Sequence, residues 1–424
     1  MECTLSTMEN MSSGTMIQRQ ILDATYVAVQ PTIRNSSVVE FKVHSVDSFI
    51  ELNKTELEVK FRITKANGDN LVVADKVSII NYPGATLFSN VEVTLNDKTI
   101  THGTSNYAER AIMETLLSFG KDASKNWLQA GLFFKYDAGY MDNPDPTAAE
   151  AVANTGLKKR AEFTNLSKLV TTRSKLHIFN QPKPLVNNCR MYLKFTKNKD
   201  AYCLMSGMAN AQYKVEIEEM ILWIRKLTVS EAVQKSVVGK SIVMPIVRAI
   251  QKEFTVTAGG KTFVENNLHS GQLPTKIIMG FVRNDAHVGN YKRNPFNFHH
   301  FDASKVSLCL NSQVVDGRSL SFDFDNDQYI DGFWSIARAA NHRFYNEGAM
   351  IERTDYKGGY ALWAYDLTPS QCDEQFNDPK KRGSLTVEFE FAEDIPTALT
   401  LCVYLQFDSE ILINEAGSVI TLFD

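Results

Sequence analysis

Two short stretches of the chain predict its fold: Val91-Glu-Val-Thr-Leu-Asn-Asp-Lys-Thr-Ile100 and Val306-Ser-Leu-Cys-Leu-Asn-Ser-Gln-Val-Val315. In each, a β-strand pattern runs up to an Asn, which tolerates the backbone of a tight turn, and β-branched residues resume after it. Val91, Val93 and Leu95 share one face of the first strand. The match predicts two copies of one β-fold in tandem, although a similarity over ten positions in a chain of 424 residues can also arise by chance.

The segments after the two copies are also alike, which favours the repeat. A loop comes first, and then a segment with the apolar spacing of an amphipathic helix. The first segment spans residues 107–119 and has Gly120 after it; the second spans about 328–342, with Ile330, Trp334 and Ala337 on one face. Loop-rich excursions come after both helices, at residues 121–170 and 343–382.

Strand patterns lie on both sides of each helix. The clearest, residues 56–64, alternates apolar and charged side chains as a half-buried antiparallel strand does. The other predicted strands are 38–43, 77–80, 175–179, 190–196, 213–229, 250–257, 276–282, 384–391, 400–407, 411–414 and 419–423. This pattern predicts an all-β fold of two tandem jelly-roll β-sandwiches (a double jelly roll), with a short helix in the long loop excursion of each. A parallel α/β fold would need a helix after most strands.

The length suggests two domains of roughly 200 residues each. Residues 1–36 are rich in Ser, Thr, Met and Gln, which predicts an N-terminal arm, of which 17–29 could order on docking. We expect the first jelly roll at 37–229, a linker at 230–249, and the second jelly roll with a C-terminal tail at 250–424.

Composition excludes some classes of function. The formal net charge of −4 gives no global basic surface, so sequence-independent DNA wrapping is not indicated. The N-terminus lacks a signal-peptide pattern, and no apolar window approaches 18 residues, so we expect no transmembrane segment. The cysteines are scattered without a C-x-x-C pair, which indicates reduced thiols and intracellular synthesis. They are Cys3, Cys189, Cys203, Cys309, Cys372 and Cys402.

Three motifs resemble chemical sites, and each falls short. Val238-Gly-Lys-Ser241 lacks the first Gly of a phosphate loop, because Gln234 stands there. Asp323-Phe-Asp-Asn-Asp327 lacks the Gly and Glu of a calcium loop and is better explained as a solvated helix N-terminus. His299-His300 has no accompanying ligand set, so packing or hydrogen-bonding histidines are expected. We therefore predict no catalytic, cofactor-binding or metal site, and a protein that is not an enzyme.

Two basic clusters, Lys158-Lys159-Arg160 and Pro379-Lys-Lys-Arg382, are expected in solvated loops, with nuclear import or contact with acidic neighbours as the alternatives.

Several stretches resemble one family, the double jelly-roll major capsid proteins of the adenovirus-like lineage. The closest resemblance is to those of Polinton (Maverick) elements and adintoviruses. The resemblance covers most of residues 37–415 and has no catalytic signature. The stretches that carry it are Leu87-Phe-Ser-Asn-Val-Glu-Val-Thr-Leu-Asn96, Tyr107-Ala-Glu-Arg-Ala-Ile-Met-Glu114, Leu273-Pro-Thr-Lys-Ile-Ile-Met-Gly-Phe-Val-Arg-Asn284 and Asn294-Pro-Phe-Asn-Phe-His-His-Phe301, leading into 306–311.

The resemblance implies a viral major capsid protein. Such a chain would form a pseudo-hexameric homotrimer that tiles an icosahedral shell around a DNA genome, with terminal arms that tie trimers to their neighbours. Implied partners are the chain itself, penton and minor capsid proteins, and DNA enclosed without sequence-specific binding. The implied location is the virion, after synthesis in the host cytoplasm and assembly there or in the nucleus.

Large aromatic residues in the loops are expected to serve partly at trimer interfaces, with burial in the chain's own core as the alternative. They are Trp127, Phe133, Phe134 and Trp363. A different class of function also stays open: a ligand- or glycan-binding β-sandwich, such as an attachment protein. A jelly-roll glycoside hydrolase would need two inward carboxylates at a fixed separation, which the sequence cannot pair.

Overall fold

The structure, a computed structural model, describes residues 20–101, 106–237, 239–340, 348–371 and 378–422. Cys3, Cys372, Val238 and most of the expected arm lie outside these ranges. The strands are β1 (Ile21–Val29), β2 (Ile33–Arg34), β3 (Val38–Ser45), β4 (Phe49–Lys65), β5 (Val77–Ile79), β6 (Phe88–Leu95), β7 (Lys98–Thr99), β8 (Val170–Lys175), β9 (Cys189–Lys197), β10 (Leu204–Ser206), β11 (Tyr213–Val229), β12 (Ile242–Val256), β13 (Thr262–Gln272), β14 (Lys276–Arg283), β15 (Ala303–Leu310), β16 (Gln313–Val314), β17 (Leu320–Ser321), β18 (Trp363–Asp366), β19 (Arg382–Phe391), β20 (Leu399–Ile413) and β21 (Val419–Leu422).

Short helices connect these strands. They are α1 (Pro83–Thr86), α2 (Tyr107–Ser118), α3 (Lys121–Lys125), α4 (Thr155–Thr164), α5 (Asp200–Cys203), α6 (Glu231–Val237), α7 (Asn284–Val288), α8 (Ile330–Ala339) and α9 (Arg353–Tyr356), with 3₁₀ turns at Trp127–Gly131, Glu150–Val152, Asn165–Ser167, His177–Phe179 and Val315–Gly317. Helices α2 and α8 occupy the two positions that the sequence predicts, and residues 341 and 342 of the second prediction lie outside the described ranges.

The strands form two sandwiches of the same design. In the first roll, one sheet has the order β1-β11-β4-β8 and the other β2-β3-β9-β6-β7. In the second roll the matching sheets are β12-β20-β14-β18 and β13-β19-β15-β16. In both rolls the last long strand pairs with the first and the third, and a helix lies between the short strand after the Asn turn and the next long strand. The predicted class, two tandem jelly rolls, is confirmed.

The Asn turns that suggested the repeat are built alike. Asn96 and Asn311 both have positive φ angles, 43° and 48°. The Asn96 backbone N–H donates to the carbonyl of Arg190 at 2.9 Å, and its side-chain Oδ1 accepts from the Arg190 N–H at 2.7 Å. Asn311 makes both bonds with Ser384, at 2.9 Å each. One Asn therefore closes the turn and anchors it to the neighbouring strand in each roll.

Burial decides which loop aromatics belong to the core. Phe133 and Trp363 are fully buried, and the Trp363 ring packs edge-on against Phe389 with centroids 5.2 Å apart. The expectation of a trimer contact is therefore wrong for these two residues. Phe134 is half-buried, and Trp127 is exposed with its ring edge-on to Phe119.

Some elements differ from the prediction. The predicted strand at 175–179 is wrong beyond its first residue, because β8 ends at Lys175 and a 3₁₀ turn follows at His177–Phe179. The excursion at 121–170 contains α4, and β13 was not predicted. The ranges 400–407 and 411–414 are one continuous strand, β20.

The expected domain boundaries stay predictions, but strand pairing shows which residues near these boundaries belong to the sheets. Residues 21–29 fall within the expected arm, yet they form β1, which pairs with β11 along its length. Residues 242–249 fall within the expected linker, yet they belong to β12 and pair with β20. Between the two rolls lies α6, which spans Glu231–Val237.

Candidate functional site

Helix α2 of the first roll lies on the outer face of the second roll, and this contact forms the seam between the rolls. Its inward face, with Ala111 and Ile112, packs into the first roll's core. Its other face meets β20. The side chains of Arg110 and Glu114, one turn apart on that face, are only 11% and 13% exposed. An amphipathic helix with charges on its second face is normally half in water, so this helix is held between two bodies.

A charged cluster closes one end of the seam. Nδ1 of His287 (on α7) lies 3.3 Å from Oε1 of Glu109 on α2, and its Nε2 lies 3.0 Å from Oε1 of Glu253 on β12. The hydroxyl of Tyr202 donates to the same Glu109 oxygen at 2.7 Å. Burial disfavours the charged imidazole, but interactions with Cys402, Glu109 and Glu253 outweigh it and raise the pKa of His287 to about 12. A protonated histidine therefore joins carboxylates of the two rolls.

The middle of the seam holds an ion pair. Arg110 Nε donates to Glu114 Oε1 at 2.9 Å, beside Tyr404 of β20. Burial raises the pKa of Glu114, but the charge of Arg110 and a hydrogen bond from Tyr404 outweigh it, so the pKa lies below its usual value. A buried pair of this kind needs its geometry kept, because removal of either partner leaves an uncompensated charge.

Elsewhere along the seam, side-chain amides of the first roll form hydrogen bonds with backbone groups of the second roll. The amide of Gln181 accepts from the Val247 N–H at 2.8 Å and donates to the Val247 carbonyl at 3.0 Å. Nδ2 of Asn96 donates to the carbonyl of Gly417 at 2.7 Å. The turn that defines the repeat therefore also binds the C-terminal hairpin of the second roll.

The loops above the seam are joined as well. Lys135 Nζ donates to the Met350 carbonyl at 2.9 Å and pairs with Asp355. The Tyr360 hydroxyl donates to the Tyr136 carbonyl at 2.7 Å. These contacts connect the loop excursions of the two rolls, so the rolls are fixed relative to each other along the whole seam.

The first basic cluster is not a solvated loop throughout, because it lies on α4. Lys158 and Lys159 are exposed, whereas Arg160 is fully buried. Arg160 donates to the carbonyls of Ile79 (2.9 Å) and Phe134 (2.6 Å), and its guanidinium lies 4.4 Å from the Tyr136 ring centroid. The expectation of a solvated loop or import signal is therefore wrong for Arg160.

The other basic cluster is exposed at the start of β19, as expected, with Lys380 paired to Glu410.

The motifs that resembled chemical sites have structural roles. Gly239-Lys-Ser241 is a turn between α6 and β12, which is the helix-then-strand order that the sequence predicts. The first Asp of Asp323–Asp327 caps a turn through Asn326, and α8 begins only at Ile330.

The adjacent histidines pack as expected. The His300 ring stacks on Phe324 with centroids 3.9 Å apart, and its Nδ1 accepts from the Asp302 N–H. Burial lowers the pKa of His300 to about 3, so the ring is neutral. Within the described residues no group of three or more His, Cys, Asp and Glu side chains is placed to hold a metal ion. None of the helices in the described ranges has the length and apolar character of a membrane span.

Comparison with solved structures gives the same fold. A chain in the structure of the Sputnik virophage superposes with a TM-score of 0.66 over 97% of this chain and 90% of its own length, at 11% identity. The faustovirus major capsid protein (TM-score 0.58, 9% identity) covers 94% of this chain and 91% of its own length. The mavirus major capsid protein (TM-score 0.55, 12% identity) covers 97% and 92%. The chain thus has the double jelly-roll fold of these viral proteins.

Comparison of sequences does not assign the chain to a family. No family model matches the chain. An uncharacterised protein of Caenorhabditis elegans is 22% identical over 381 residues, which are 85% of this chain and 87% of that protein.

Proposed function

We propose that this protein is a viral major capsid protein that assembles as a pseudo-hexameric homotrimer and tiles an icosahedral shell around a DNA genome. The observation that carries the proposal is the seam: two rolls of the same strand order are locked side by side by α2. Two similar bodies in one chain become six similar corners when three chains form a ring, which is the shape that packs on a shell of hexagonal tiles.

The comparisons support this choice among the functions that a double jelly roll can serve. The faustovirus and mavirus proteins are major capsid proteins, and the alignments span nearly all of this chain. Fold alone does not determine function, so the proposal also rests on the seam. Its mechanism is burial of surface between copies, on the scale of roughly 2,000 Å² for an obligate interface, and not catalysis.

The finer assignments belong to the same proposal. The sequence resemblance points to the capsid proteins of Polinton elements and adintoviruses, and a relative in an animal is in keeping with elements carried in animal genomes. Penton and minor capsid proteins would complete the shell, DNA would be enclosed without sequence-specific contacts, and the mature location would be the virion. Residues 1–19 would act as an arm between trimers.

Solution mass tests the proposal. The chain is 47.7 kDa, so a trimer has three times that mass, about 143 kDa. We expect light scattering to give the trimer mass at two protein concentrations tenfold apart, and negative-stain images to show six-cornered particles. A monomer mass at both concentrations would overturn the proposal and favour a ligand- or glycan-binding sandwich, which glycan-array binding of the monomer would then test.

A further inference from the structure

At the seam, a helix of one roll packs on the outer sheet face of the other roll. On the outer face of the sheet β12-β20-β14-β18, Tyr404 is buried beside Arg110 and Glu114 of α2. Cys402 on the same face is buried between His287 of α7 and Glu109 of α2. The helix and the sheet face therefore form a matched pair. Each roll has its own helix and its own outer sheet face, but within the described residues only one of the two possible helix-on-sheet pairings is made.

Helix α8 of the second roll does not pack on a sheet of the other roll in the part of the chain that the structure describes. Gly332, Ser335 and Ile336 face its own roll and are buried. On the other side, Ile330 and Trp334 are one turn apart and are 49% and 44% exposed. Two large apolar residues at i and i+4 form a continuous apolar patch on the open face of a helix, and such patches are typical of surfaces that another protein covers.

The outer face of the sheet β1-β11-β4-β8 in the first roll is likewise not covered, among the residues described, by a helix of the other roll. Strand β11 corresponds to β20, because both are last long strands that pair with the first and third strands of their rolls. Its outward residues Ile221 and Trp223 are only half-buried, and Tyr26 of the neighbouring β1 is 47% exposed.

The receiving face is also held in place by its own contacts. Trp223 Nε1 donates to Glu58 Oε2 at 3.0 Å, and the Arg173 guanidinium lies 5.0 Å from the Trp223 ring centroid. A ring fixed in this way is already ordered before binding, which lowers the entropy cost of binding. Tryptophan and tyrosine are also the residues that most often dominate the energy of interfaces.

We propose that the Ile330–Trp334 face of α8 in one copy packs on the Tyr26–Trp223 face of β1 and β11 in the next copy, so that the contact between copies repeats the seam within each copy. The inference rests on the proposed trimer and adds which surfaces meet. The contact is head-to-tail, since the second roll of one copy meets the first roll of the next. Such contacts form a closed ring when the rotation per copy is a whole fraction of a turn, as it is for three copies.

Cross-linking tests which surfaces meet. Two differently tagged chains, one with Trp334→Cys and one with Tyr26→Cys, are co-expressed and treated with a short bis-maleimide. We expect a product that carries both tags at about twice the chain mass of 47.7 kDa. The control replaces Tyr26→Cys with Val73→Cys, at an 88% exposed loop position. The native cysteines are present in both pairs, so the difference between pairs reports the engineered positions.

A substitution tests the energy of the same contact. Trp334→Glu places a carboxylate in the proposed interface, and we expect the trimer to dissociate at a concentration at least about tenfold higher than the wild type. Val73→Glu is the matched control and should leave the trimer unchanged. Thermal melting of both variants at low concentration checks that the monomer fold is intact, which is expected because both side chains are exposed.

The outcomes separate the two proposals. If the wild type has the trimer mass but the Trp334/Tyr26 pair cross-links no better than the Trp334/Val73 pair, or Trp334→Glu leaves the trimer unchanged, the surface assignment is wrong and the capsid proposal stands. If the wild type has the monomer mass, the capsid proposal and the surface assignment fail together.

Discussion

His287 lies between carboxylates that belong to different rolls, which makes it a sensitive point of the seam. Glu109 comes from α2 of the first roll and Glu253 from β12 of the second. With its imidazole protonated, the cluster carries one positive charge between two carboxyl groups, and the Tyr202 hydroxyl adds a further bond to Glu109. Removing the cation would leave Glu109, only 2% exposed, without its charge partner.

The substitution His287→Gln should therefore destabilise the chain by about 3–5 kcal/mol at pH 7. The pKa of His287 is about 12 in the folded chain and about 6.5 when unfolded. Its stabilisation is therefore complete below pH 6.5 and is lost as pH rises from 6.5 towards 12. Between pH 7 and 9 the advantage of wild type over variant should shrink, by at most about 1.4 kcal/mol per pH unit. Urea unfolding across this range measures it.

His44→Gln is the control, since His44 is exposed on β3 and its loss should leave stability within about 0.5 kcal/mol at each pH. A free-energy difference between wild type and His287→Gln that stays constant or grows from pH 7 to 9 would contradict the assignment of a protonated His287 at the seam.

Arg160 shows why a residue can be misread from sequence. Three consecutive basic residues indicate a solvated patch, and two of them, Lys158 and Lys159, are exposed. The helical repeat of α4 turns the third inward, to backbone carbonyls that no sequence pattern reveals. The partners of the seam cluster were invisible for the same reason, because Glu109 and His287 are far apart in the chain.

At the level of elements, the sequence predicts strands well where one face is clearly apolar. Strand β11 matches the predicted range 213–229 at both ends. Strand β13 was missed because polar residues fill it and its register shifts between Glu265 and His269. Helix α4 was missed because its buried face contains Arg160 and Thr164, but Asn154 offered a signal, since its side chain caps the helix through the Leu157 N–H.

The first strand bears on how the proposed arm is to be tested. Deletion of residues 1–19 should leave the trimer and its melting temperature nearly unchanged and weaken shell formation, because β1 is retained. Deletion of residues 1–33 should in addition lower the melting temperature, by about 5 °C or more, because β11 loses the strand that pairs with it from Ile21 to Val29. It should also weaken the trimer, because Tyr26 of the proposed contact lies on the deleted strand. Calorimetry and electron microscopy of the two deletions make the comparison. Equal melting temperatures would show that β1 contributes little.

At the scale of the molecule, the sequence could predict the repeat but not the seam. The two Asn turns and the two helices recur along the chain, so a tandem fold was readable from local patterns. How the rolls face each other depends on contacts between distant residues, such as Asn96 with Gly417 and Gln181 with Val247. We expect the same contacts to decide whether either roll is stable by itself.

A split chain tests that dependence. If the seam completes both rolls, fragments 1–239 and 240–424, co-expressed, should copurify and give the mass of the intact trimer, because the cut lies in the turn after α6. Each fragment alone should aggregate or melt at a lower temperature, since Cys402, Tyr404 and the charged face of α2 would become exposed. A short deletion in the exposed loop around Val73 serves as a control for the effect of altering the chain. Two fragments that are each soluble, monomeric and as stable as the whole chain would show that the rolls are independent domains and that the seam does not hold them together.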